Sequence, residues 1–168
     1  MNIADGILKD WNAFLDGRHY AGQVDTYSPP ALTISQEDYR AAGMDAPLAQ
    51  DMGMEKMTAT LVFKNLPPDV AKRFGLIKNA ETRITMRGSR ENLDGTGMAE
   101  VHNLRGRIFS AAPASWQRGE STYEVTIELH YFKQMMGAEV LAEIDVLNMV
   151  RSIGGVDQMA ERRKRLGM

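Results

Sequence analysis

The residues of this chain that could do chemistry are three histidines, one carboxylate-rich stretch and one run of bases, with no cysteine among its 168 residues. The missing cysteine removes disulfides, thiolate nucleophiles, iron–sulfur clusters and Cys-type zinc sites together. His19, His102 and His130 are scattered, and a lone strand histidine reads most simply as a partly buried, hydrogen-bonded residue. Glu139, Glu143 and Asp145 could act as paired carboxylates or hold a cation, but no further oxygen ligands stand at calcium-loop spacing. A solvated or subunit-paired edge is the plainer reading. The cluster Arg162, Arg163, Lys164 and Arg165 could touch nucleic acid, complement a helix C-terminus, or meet an acidic protein partner. There is no Walker loop, no dinucleotide-binding glycine pattern after a strand, no Gly-x-Ser-x-Gly elbow and no His-Glu-x-x-His. The sequence therefore predicts no enzyme, no cofactor and no metal site.

These residues must be held by a single domain, because a chain of this length buries roughly two-thirds of its unfolded surface around one core. Its 43% hydrophobic and 25% charged residues are ordinary globular composition. The net charge of −2 gives no global field for nucleic-acid phosphates. The N-terminus has no basic leader pattern, and no apolar run approaches the ~18 to 20 residues that span a bilayer, so a soluble, unexported protein without membrane insertion is expected.

Period-2 alternation dominates the chain. Asn12–Leu15 and His19–Val24 flank an Asp16-Gly17 turn and predict a hairpin. Ala31–Tyr39 reads as a strand after the Pro29-Pro30 break, and Lys56–Lys64 places Met57, Ala59, Leu61 and Phe63 on one face. Pro67-Pro68-Asp69 starts a short helix that Gly75 ends. Two further strands, Glu81–Ser89 and one around His102–Ile108, are joined by a polar loop from Gly88 to Gly97. The longest strand, Ser121–Phe132, sets Tyr123, Val125, Ile127, Leu129 and Tyr131 against Thr122, Glu124, Thr126, Glu128 and His130. Gly137-Ala138 turns it into Glu139–Ile144. From about residue 156 to 166, Val156, Met159, Arg163 and Leu166 trace a C-terminal helix with acids early and bases late.

Between the strands at Tyr39 and Lys56 lies a long segment, Arg40 to Glu55. Loops of this length inside a compact domain are uncommon and usually functional or disordered. This one carries Met44, Leu48, Met52 and Met54 with few charges, so it is too apolar for disorder and needs cover. It either folds back over its own sheet or docks on a neighbouring subunit as an arm. The long strands add a second requirement. Their polar faces are rich in threonine, so the sheet has one wet side and edges that must be blocked, as in a monomeric sandwich, or joined to other copies in a ring.

At these residues the sequence resembles the major tail tube protein family of contractile-tailed bacteriophages, which also supplies the inner tube of R-type pyocins and similar tailocins. The resemblance rests on Asn12-Ala13-Phe14-Leu15-Asp16-Gly17 with Tyr20 and Gly22, and on Tyr39 to Pro47 continuing to Asp51-Met52-Gly53. Towards the C-terminus it rests on Tyr131-Phe132-Lys133, Gly137, Glu139, Glu143-Ile144-Asp145, Asn148, Gly155-Val156-Asp157 and the closing Leu166-Gly167-Met168. It implies a mainly β, sandwich or barrel-like domain over residues 1–168 with a short flanking α-helix and a C-terminal helix. Its strands would form a continuous inner β-barrel in a hexameric ring.

The resemblance further implies a structural virion protein. Its rings stack into a helical tube inside a contractile sheath, penetrate the host envelope and conduct phage DNA; the alternative is the tube of a DNA-free tailocin or type VI-like system. Implied partners are further copies of itself, the tail sheath protein, baseplate or tube-initiator and tail terminator proteins, and tape measure protein or DNA in the lumen. Assembly would take place in the bacterial host cytoplasm. Inter-subunit or inter-ring contacts would then fall on Arg40, Gly43, Met44, Asp45, Pro47, Leu48, Asp51, Met52, Gly53 and Met54. Glu124, Thr126 and Glu128 are the expected channel wall, since carboxylates there would repel phosphate. Arg83, Arg87, Arg105 and Arg107 are expected to pair with glutamates or to lie elsewhere. Arg162, Arg163 and Arg165 are expected to touch the sheath or another partner.

Overall fold

A computed structural model describes residues 6–65, 67–75, 81–113, 118–119 and 121–168. It is mainly β with two short helices, as the alternation predicts. The elements in chain order are β1 (Ile7–Leu15), β2 (Arg18–His19), β3 (Val24–Ser28), β4 (Ile34–Tyr39), β5 (Leu48–Met54), β6 (Met57–Phe63), α1 (Pro68–Ala71), β7 (Thr82–Glu91), β8 (Gly97–Pro113), β9 (Tyr123–Met136), β10 (Glu139–Asp145), β11 (Val150–Ile153), β12 (Val156–Asp157) and α2 (Ala160–Leu166).

One sheet runs β12-β11-β10-β9-β8-β7-β1-β2, and β6, flanked by β3, joins it at β9. The first half of β9, Tyr123 to Leu129, pairs with β6, whereas Tyr131 to Met136 pairs with β10. β8 runs along both halves and carries irregularities at Arg105/Gly106 and Ile108/Ser110. Such bulges bend a strand and raise its twist, so the sheet divides along β9 into two layers. Between them lie Phe63, Leu61, Ile84, Leu104, Ile108, Val125 and Ile127, all at most 2% exposed. Each comes from a strand whose alternate residues are polar, which is the pattern of a half-solvated antiparallel sheet.

Several boundaries differ from the sequence expectation, among them the polar loop expected from Gly88 to Gly97, which shortens to residues 92–96 because β7 runs on to Glu91 and β8 starts at Gly97. The Arg40–Glu55 segment is not all loop: Leu48–Met54 pairs with Ile34–Tyr39 in a separate two-stranded sheet. The C-terminal helix begins at Ala160, because Val156 and Asp157 fold back as a strand on Ile153 and Ser152. Gly154 and Gly155 make that turn with φ of 56° and 81°, the left-handed pair that a two-residue hairpin needs. α1 is a single turn that buries Val70 and leaves Phe74 exposed, with the Gly75 N–H donating to the Ile108 carbonyl instead of continuing the helix.

Candidate functional site

The β4–β5 hairpin stands apart as an arm. Its base is closed by the Glu55 N–H donating to the Thr33 carbonyl at 2.9 Å, and Met54 packs against the molecule's own core. An ion pair ties it to the body: Arg151 reaches Asp51 at 2.6 Å and holds its carboxyl below the usual range. Gly53 also donates its N–H to Asp51, using the positive φ of 107° that glycine permits. At the tip, the Met44 sulfur accepts from the Ala41 N–H, and Arg40 donates to the Asp45 carbonyl across a turn that contains Gly43 and Pro47.

Pairing of Tyr39 with Leu48 and of Glu37 with Gln50 puts these four on one face of the arm, and alternation adds Met52. The opposite face carries Asp38 and Asp51. Tyr39, Leu48 and Met52 are 57%, 63% and 56% exposed. The methionine and leucine set thus divides, with Met54 and Met44 engaged within the chain and Leu48 and Met52 open.

Glu124, Thr126 and Glu128 alternate with the buried Val125, Ile127 and Leu129, so they point away from the core. Glu128 accepts from Lys56 at 2.5 Å and lies opposite Arg107 in the register. Arg105 does not meet a glutamate; its guanidinium sits 4.8 Å above the Tyr131 ring. Arg83 lies directly opposite Arg105, with Glu81 at 3.8 Å. Burial and the hydrogen bond to Glu143 push the Tyr131 phenol up to about 12, so it stays a donor.

Two of the three carboxylates of β10 have internal partners, whereas Glu139 is exposed and forms no ion pair among the described residues. Glu143 accepts from Tyr131 at 2.9 Å and meets Lys133 at 3.4 Å, and Asp145 accepts from Asn148. Among the described residues no group of His, Asp and Glu could hold a metal ion, and no helix is long and apolar enough to cross a membrane.

In α2, Arg163 bonds Asp157 at 2.5 Å and the Met149 carbonyl at 2.8 Å, while Arg162 and Arg165 are exposed. Asp157 also accepts the Met159 N–H, so it anchors the helix start from β12. Gly167, at φ 74°, closes the other end.

The sequence gives no hint of a titratable cluster that the fold assembles beside a cavity of about 550 Å³ lined by Trp11, Tyr27, Pro30 and Phe132. Glu100 lies at its centre, accepting from Arg90, from Gln134 at 2.9 Å and bonding His102 at 3.0 Å. His102 in turn meets the Tyr27 hydroxyl at 3.0 Å, and Arg90 donates to the Gly6 carbonyl. Burial alone would raise the Glu100 carboxyl, but these hydrogen bonds outweigh it and hold it low; burial and Glu100 together push the Tyr27 phenol up. Every member has a partner, so the cluster reads as a buried polar tie between β3 and the β7-β8-β9 layer.

A carboxyl depressed by folding adds stability above its unfolded pKa, roughly 4.3 for glutamate, and that stability is lost as pH falls through the folded value. Glu100→Gln is expected to lower stability at pH 7 and to flatten its decline between about pH 5 and 3. Denaturant midpoints across that range check this, and an unchanged acid slope would remove Glu100 as a source.

Residues 5–167 match the family of phage tail tube protein FII. The chain is 28% identical to the tail tube protein of Escherichia phage P2, covering 96% of each chain. It is 25% identical to the major tail tube protein of Serratia phage KSP20, covering 92% of this chain and 91% of that one. Its fold is similar to a chain of the sheath–tube complex of the PVC extracellular contractile injection system in the extended state, with TM-score 0.57 and 14% identity over 74% of this chain and 87% of the other. The family match spans the arm, the divided sheet and the closing helix alike. By that coverage, the chain belongs to the phage tail tube protein FII family.

Proposed function

We propose that this tail tube protein forms six-membered rings that stack into the inner tube of a contractile tail, surrounded by a sheath and conducting DNA into the host. Its role is structural rather than enzymatic. The observation that carries the reading is the arm, with Tyr39, Leu48 and Met52 more than half exposed on a hairpin that stands outside the core. Such surface favours burial, and a contact between arm and a different surface on the next copy is heterologous, the kind that extends into rings and filaments.

The sheet edges support the same assembly. β2 covers β1 only at Phe14 and Leu15, and β12 is two residues long, so β1 offers backbone to another strand. Copies joined edge to edge would close an inner barrel, with Glu124, Thr126 and Glu128 on its polar wall. Arg162 and Arg165, exposed on α2, are the proposed sheath contact, whereas Arg163 serves the helix itself. Assembly takes place in the host cytoplasm, with baseplate and terminator proteins at the two ends of the tube.

Electron microscopy of the purified chain tests this directly. Six-fold rings or hollow tubes are expected, and a monodisperse monomer at millimolar concentration would overturn the reading.

A further inference from the structure

Three arginines share one side of two neighbouring strands: Arg83 and Arg87 on β7, and Arg105 on β8. Arg83 stands directly across from Arg105, and like charges facing each other across an antiparallel pair are unfavourable. Local compensation is thin. Arg83 has only Glu81 at 3.8 Å, Arg105 is stacked on Tyr131, and Arg87 has no ion pair among the described residues. The bulge at Arg105/Gly106 separates this group from Arg107, which faces Glu128. The surface between is concave, one hollow running past Thr85, Asn103 and Tyr131 and another past Phe14 and Gly17.

The arm has the opposite character. Between Ile34 and Met54 it holds Glu37, Asp38, Asp45 and Asp51 against Arg40 alone. Asp51 is taken by Arg151, but Glu37, Asp38 and Asp45 are exposed and form no ion pair among the described residues. A net charge of only −2 therefore conceals two segregated patches of opposite sign. In a homopolymer every copy carries both, so one head-to-tail contact neutralises both.

We propose that the acidic arm of one copy lies on the arginine face of another, with Glu37, on the same face as Leu48, and Asp45 at the tip meeting Arg83 and Arg87. This rests on the arm's being an inter-subunit contact and adds the surface that receives it. The occupant is a second copy rather than nucleic acid, because the chain itself supplies matching carboxylates on a projecting hairpin at one-to-one stoichiometry. Arginine suits the task through its planar, bidentate recognition of carboxylate.

Reciprocal charge reversal tests the pairing. Glu37→Arg with Asp45→Arg, and separately Arg83→Glu with Arg87→Glu, should each raise the concentration needed for tube formation about tenfold or more. All four substitutions in one chain should bring it back towards the parent value. Circular dichroism shows that each variant is folded.

If the parent forms tubes and the four-fold variant assembles no better than the two-fold ones, the pairing is overturned while the tube reading stands. If the parent forms no tubes, both fall. A face variant that assembles normally yet loses binding of a 20-base-pair duplex would assign the arginines to nucleic acid and overturn the proposal as well.

Discussion

Gly106→Ala is expected to destabilise the fold by about 3 kcal/mol, the upper range for overpacking an interior that cannot relax. A Cβ on Gly106 would stand 2.1 Å from the Glu128 carbonyl oxygen and 2.9 Å from its carbon. Both are backbone atoms of the neighbouring strand. They can move only if β8 and β9 part where the sheet bends, and that junction anchors Ile108, Ile127 and Leu104 in the core. Gly88→Ala is the matched control. Its Cβ would meet Leu8 Cδ1 at 2.7 Å, but Leu8 is 44% exposed and can swing aside, so a cost below about 1 kcal/mol follows. Urea midpoints of the two variants decide the matter. Equal midpoints would mean that the β8–β9 junction is far more pliant than its geometry implies.

Nothing in the sequence marks Gly106, which sits in a strand among arginines; only the approach of β9 makes it special. The same holds for the Glu100 cluster. Tyr27, His102 and Gln134 are far apart in the chain, and each alone reads as an isolated polar residue on a strand. Burial alternation, by contrast, is local. β6 and the first half of β9 were legible because one side of each packs on the core and the other meets water. β5 gave no such signal, since Leu48 to Met52 is exposed on both faces and its apolar residues answer to no core of its own chain.

Gly154-Gly155 was a readable hairpin signal that the helical spacing of Val156, Met159 and Arg163 overrode. The helical period is real from Ala160 onward, and the expected helix starts four residues too early. The arm's chemistry was legible for a related reason. An excess of methionine and leucine in a segment with few charges implies a cover, and among the described residues Leu48 and Met52 have none.

Leu48→Asp combined with Met52→Asp is expected to give a folded subunit that does not polymerise. Both side chains are exposed, at 63% and 56%, so their replacement removes no contact from the core and the denaturation midpoint should stay within about 0.5 kcal/mol of the parent. In the assembled tube each would be buried, contributing on the order of 1.5 to 3 kcal/mol per side chain. Losing both removes about 3 kcal/mol or more at every contact, which raises the assembly concentration more than about 100-fold. Burying two new carboxylates adds to the penalty. Sedimentation and electron microscopy read the outcome, with Met54→Leu as a core-packed control that should assemble normally. Tubes of ordinary length from the double variant at the parent's concentration would show that the arm's outer face lies free in the assembly, and the contact holding one copy to the next would have to be sought on the sheet edges.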